Sequence, residues 1–119
     1  MSLRATVLHS VLRPGREEAY EAEHRLVPAD LLATLSAAGV RDWAIWRDGR
    51  DLLHVVDVDD YDDLAARIAA DPANLRWQER MAEHVEGFRP VTTVPALERP
   101  ALVWTLRRQV AEALEEEPG

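Results

Sequence analysis

Four histidines, at positions 9, 24, 54 and 84, are the side chains of this sequence whose ordinary pKa, about 6.5, lets them take and give protons near neutrality. His24 has the most suggestive setting. It follows Tyr20 by four residues, so on a helix the imidazole and the phenol share one face. Pro28 lies four residues further on, and its ring would strike the His24 carbonyl, so the helix must kink or restart beside His24. An imidazole there can move the proton of a bound hydroxyl while the phenol holds the substrate. On spacing alone, His24 is equally the polar end of a helix. His9 and His54 fall in strand-like runs and read first as packing or pocket-lining residues. His84, late in an amphipathic helical pattern, reads as a surface or half-buried residue.

The sequence has no cysteine, no His-x-x-x-His pair, no glycine-rich phosphate loop and no Gly-x-Ser-x-Gly elbow, so neither a metal nor a cofactor is expected. The expected chemistry is proton transfer by side chains alone. Four tryptophans against one phenylalanine tilt the aromatic set toward indoles, whose electron-rich faces pack on the C–H faces of sugars. Trp43 and Trp77 fall where they could open onto a pocket, although a core role is the commoner one for any single Trp. A formal charge of -8 with scattered arginines repels polyanions, so nucleic acid is not an expected partner and a small neutral ligand is.

These residues need elements to hold them. At 119 residues the chain has room for one domain and one core. The run from Ala5 to Leu12 is rich in β-branched residues and closes on Arg13-Pro14-Gly15, which predicts a first strand. From Glu17 the spacing of Tyr20, His24 and Val27 turns helical, with acids in the opening turns, and Pro28 starts a second segment that runs through Leu35 to Gly39. Trp43–Arg47 and Leu52–Val58, joined by Asp48-Gly49-Arg50-Asp51, predict a hairpin. A helical region begins near Asp60 and is interrupted at Asp71-Pro72. In the next segment Trp77, Met81 and Val85 form one stripe that ends near Gly87-Phe88. Residues 89–101, with prolines at 90, 95 and 100, read as an extended loop, and Leu102–Leu106 as a fourth strand.

The order β-α-β-β-α-β is the ferredoxin-like α+β arrangement, a four-stranded antiparallel sheet with helices on one face. A second copy of the sheet is the expected cover for the other face, giving a homodimer and a dimeric α+β barrel. The expected division is a domain over 1–106 and a polar, acidic tail over 107–119, with a weak helical pattern at Val110 and Leu114. No leader opens the sequence and no apolar run approaches the ~18 residues of a membrane span, so a cytoplasmic location is expected.

The succession Leu12-Arg13-Pro14-Gly15-Arg16-Glu17-Glu18-x-Tyr20-x-x-x-His24, then Pro28 with Leu31-Leu32, Gly39-Val40-Arg41-Asp42-Trp43-Ala44-Ile45-Trp46, Asp51-Leu52-Leu53, and Asp71-Pro72-x-Asn74-x-Arg76-Trp77-x-x-x-Met81 resembles the L-rhamnose mutarotase family. The resemblance runs from about residue 3 to about residue 106. It implies a dimeric ferredoxin-like fold, no cofactor, an acid/base histidine at His24, and sugar contacts from Tyr20, Trp43 and Trp77, with Arg76 beside them. The chain departs from the family pattern at Val27, where members often carry Trp before the proline. It departs also at His54, where they carry an aromatic, at Trp43, where they carry Tyr, and at Arg76, where some carry a second Trp. The implied activity is exchange of the α and β anomers of a deoxy-aldose such as rhamnose or fucose. The rival readings are a sugar- or metabolite-binding module without turnover, and a cofactor-independent oxygenase or lyase on the same architecture.

Overall fold

The computed structural model describes residues 5–93, 97 and 100–116. Strand β1 (Ala5–Leu12) leads through the Pro14-Gly15 turn into helix α1 (Glu17–Arg25). Glu17 and Glu18 occupy the first turn of α1, where the helix dipole favours acids. The chain breaks at Leu26–Pro28 and restarts as α2 (Ala29–Ala37), in whose first turn the Leu31 and Leu32 N–H groups donate to the Pro28 carbonyl. Strands β2 (Asp42–Asp48) and β3 (Asp51–Asp57) follow. Their hairpin is tight because Gly49 takes a φ of 60°, a left-handed conformation that favours glycine.

Two helices then form an elbow, α3 (Tyr61–Ile68) and α4 (Pro72–Ala82). Each is capped by an aspartate: Asp60 accepts from the Asp63 N–H, and Asp71 accepts from the Ala73 and Asn74 N–H groups. Pro72 suits the first turn of α4, where its missing N–H costs nothing. The chain continues into β4 (Val85–Arg89), a 3-10 turn at Val91–Thr93, β5 (Ala101–Thr105) and α5 (Leu106–Glu116).

The sheet is antiparallel and has five strands, ordered β4-β1-β3-β2-β5, where the sequence predicts four. The addition is β4. The 77/81/85 stripe predicts a helix that continues to Gly87, but α4 ends at Ala82 and the chain turns at Glu83–His84 into an edge strand beside β1. Unpaired N–H and C=O groups along β1 provide the partner, and Gly87, with a φ of 139°, sits where a helix cannot. His84 follows the helix instead of closing it, and it is buried. The expected boundary at 106/107 falls at the first turn of α5, whose residues pack on α2, β2 and β5. The expected extended stretch over 89–101 lies partly outside the described residues, as do residues 117–119 of the tail.

Strand alternation divides the sheet into two faces. Leu12, Ile45, Leu52, Val56 and Trp104 point to the helices and form the core with Leu31, Leu32, Leu35 and Leu64. The opposite face carries Val7 beside Val55, and Trp46 paired with Leu53 and Leu102. The Val91–Thr93 turn packs against β1. Among the described residues, no helix is long and apolar enough to cross a membrane.

Candidate active site

A cavity of about 560 Å³ lies between the helix-side face of the sheet and helices α1, α3 and α4. Tyr20, His24, Trp43 and Trp77 all line it. Arg76 does not: one residue before Trp77, it points to the surface of α4 and pairs with Asp30 of α2. Spacing explains the difference, because neighbours on a helix lie about 100° apart and only one of the two can face the sheet.

His24 is buried in the last turn of α1. Its Nδ1 lies 2.9 Å from the Tyr20 carbonyl oxygen. A carbonyl only accepts, so Nδ1 carries the hydrogen and Nε2 holds a lone pair. Among the described residues no group bonds Nε2. Three rings surround the imidazole, with centroids at 4.3 Å for Tyr20, 5.1 Å for Trp77 and 5.7 Å for Trp104, the two indoles meeting it edge to face. Burial among them pushes the His24 pKa down to about 4, the Tyr20 hydrogen bond opposes the shift, and nearby His84 adds to it. At neutral pH His24 is therefore an uncharged base, further from its ordinary pKa than the sequence suggests. Burial also raises the Tyr20 pKa, so its hydroxyl keeps its hydrogen and can both donate and accept.

His24 is held in place by an element that sequence reasoning treats as a tail. The α1 break leaves the His24 and Arg25 carbonyls and the Val27 N–H without helical partners. Gln109 of α5 serves all three: its amide donates to the His24 oxygen at 2.9 Å and the Arg25 oxygen at 3.1 Å, and its Oε1 accepts from Val27 N–H at 3.1 Å. Arg80 of α4 reaches Glu23 at 3.2 Å and Arg47 of β2 reaches Glu21 at 3.2 Å, which tie the outer side of α1 to the elements on either side.

The sheet contributes a second polar group. Trp43 Nε1 donates to His54 Nδ1 at 3.2 Å, and His54 Nε2 lies 2.9 Å from Ser10 Oγ. Burial, and after it the proximity of the His24 and His9 imidazoles, pushes the His54 pKa down to about 3. Ser10 is missed by sequence reasoning because a lone serine in a strand gives no signal; only the register that sets β1 antiparallel to β3 places it beside His54. Trp104, also missed, brings its edge to His24 from β5. His9 lies on the opposite face of the sheet and bonds Asp51 at 2.8 Å. Among the described residues no group of three or more His, Cys, Asp or Glu side chains could hold a metal ion.

The arrangement is a neutral base, a phenol and a hydroxyl set around a pocket walled by indoles. It suits proton exchange on a small, uncharged, hydroxyl-bearing ligand. A protein-family model described as L-rhamnose mutarotase matches residues 5–110. No curated protein matches the chain. Among solved structures, the crystal structure of an L-rhamnose mutarotase from Formosa agariphila is similar at a TM-score of 0.60, with 19% identity over 84% of this chain and 90% of that one.

Proposed function

The chain belongs to the L-rhamnose mutarotase family, and from that membership we propose that it equilibrates the α and β anomers of L-rhamnose or a close deoxy-aldose, with side chains as its only catalysts. The observation that carries this reading is His24, with its hydrogen fixed on Nδ1 by the Tyr20 carbonyl and its Nε2 lone pair free beside the cavity. In the forward step Nε2 takes the proton of the anomeric hydroxyl. The bond from C1 to the ring oxygen breaks as the aldehyde forms, and the ring oxygen gains a proton from water or a polar neighbour to become a hydroxyl. Rotation about C1–C2 presents the other aldehyde face, and reclosure returns both protons. His24 ends neutral, as it began. A positioned base of this kind is worth roughly 10²–10⁴-fold in rate.

In this reading Tyr20 holds a sugar hydroxyl, and Trp43 and Trp77 pack against the sugar's C–H faces. The partner is a small neutral monosaccharide, and the absence of cysteine suits a reducing compartment, so we place the protein in the cytoplasm. The unit is a homodimer joined through the open sheet face. Support for it comes from the apolar row of Trp46, Leu53 and Leu102, of which Leu102 is 46% exposed.

Saturation-transfer NMR across a panel of free aldoses tests the activity. L-rhamnose or a near relative should exchange anomers faster with the protein than in buffer. If every sugar exchanges only at its spontaneous rate, the enzyme reading fails and a binding module replaces it.

A further inference from the structure

We propose that Ser10 is a fixed hydrogen-bond donor to the bound sugar, aimed into the cavity by a relay that runs from Trp43 through His54. The inference rests on the mutarotase reading and supplies that site with a second polar contact, on the sheet side. An indole nitrogen only donates, so the Trp43 contact requires a lone pair on His54 Nδ1. A neutral imidazole then carries its single hydrogen on Nε2 and must donate to Ser10 Oγ rather than accept from it. His54 is 6% exposed, and burial keeps it neutral, which holds this tautomer in place. The Ser10 hydroxyl thus spends a lone pair on His54 and keeps its own hydrogen. Among the described residues nothing accepts that hydrogen, although Ser10 is only 1% exposed and lines the cavity. A buried donor without an acceptor is costly, and a hydroxyl that accepts from an imidazole is a stronger donor for it. An oxygen of a sugar in the cavity completes the chain.

Ser10 does not give its proton away, because His54 could replace it only by becoming an imidazolate. Its part is binding; His54 is a positioning residue, and Trp43, besides packing on the sugar, fixes the His54 tautomer. The test uses the full chain with L-rhamnose as the probe. In ¹⁵N–¹H NMR spectra His54 should carry its hydrogen on Nε2, and saturating L-rhamnose should shift that resonance. A hydrogen on Nδ1, or an Nε2 signal indifferent to L-rhamnose, overturns the assignment. Ser10→Ala should weaken L-rhamnose binding about three- to tenfold, the scale of one neutral hydrogen bond. The double variant Ser10→Ala/His54→Phe removes both partners, leaves only the part-buried Trp43 N–H to find another acceptor, and should fold and show at least the same loss. Folded variants that bind like the wild type also overturn it. Because binding is the readout, a protein that binds L-rhamnose without exchanging its anomers sinks the mutarotase activity while the same titration still decides the role of Ser10.

Discussion

Substituting His24 by alanine should lower kcat by about 10²-fold or more while KM changes little, because a proton in flight is felt mainly in the transition state. Trp77→Ala should do the reverse: indole packing is felt by ground and transition state alike, so KM should rise by about 1–3 kcal/mol in binding terms while kcat holds. Steady-state anomer exchange, corrected for the buffer rate, separates the two, and a folded His24→Ala protein with normal kcat would return His24 to a helix-ending role. Acidity probes the same residue. With its pKa near 4, His24 stays a base from pH 8 down to about 5, so kcat/KM should be flat there and fall as pH approaches 4. Stability should follow a wider window. Between the ordinary histidine value of 6.5 and about 4, the unfolded chain binds a proton that folded His24 refuses, so stability is full above 6.5 and falls as pH drops toward 4. His24 alone accounts for a loss on the order of 3 kcal/mol at the lower end, and His54 adds to it over the same window and extends it toward pH 3. Thermal melts from pH 7.5 to 4 check the sign; a melting temperature that stays level or rises would mean that both imidazoles protonate freely in the fold.

Three hydrogen bonds from one amide give α5 a hold on the α1 break. Gln109→Leu should cost about 1–3 kcal/mol in urea unfolding, since it strands two carbonyls and an N–H at a partly buried helix end. It should also lower kcat, because the carbonyls it strands belong to His24 and the residue after it. A variant as stable and active as the parent would show water to be an adequate substitute. The break itself is legible in the sequence from Pro28, and so are the 48–51 hairpin and the interruption at Asp71-Pro72, because each depends on a proline or a glycine acting within a few residues. Tyr20, His24, Trp43 and Trp77 are legible for a similar reason: helix spacing and an ordered pattern of short motifs. What escapes is set by pairing at long range. Strand β4 has no clean alternation and follows a stripe whose spacing imitates a longer helix, so only the open edge of β1 decides its state. Ser10 and Gln109 acquire partners 44 and 85 residues away, and no local pattern announces either contact.

A chain of this size buries a limited core, and its sheet leaves Trp46, Leu53 and Leu102 in one row on the face away from the helices. Light scattering at micromolar concentration should therefore give about twice 13.4 kDa. Trp46→Glu, which sets a charge in the middle of that row, should shift the mass to that of a single chain; a monomeric wild type would rule out the sheet-face dimer. The Gln109 clamp also bears on how the molecule is made. On the ribosome His24 is translated 85 residues before the amide that secures its carbonyl. Helix α1 emerges early, with its last turn unsecured, and waits through the synthesis of every strand from β2 to β5. A nascent chain that stalls after the sheet is complete therefore carries every proposed sugar contact and still lacks the amide that bonds the His24 carbonyl.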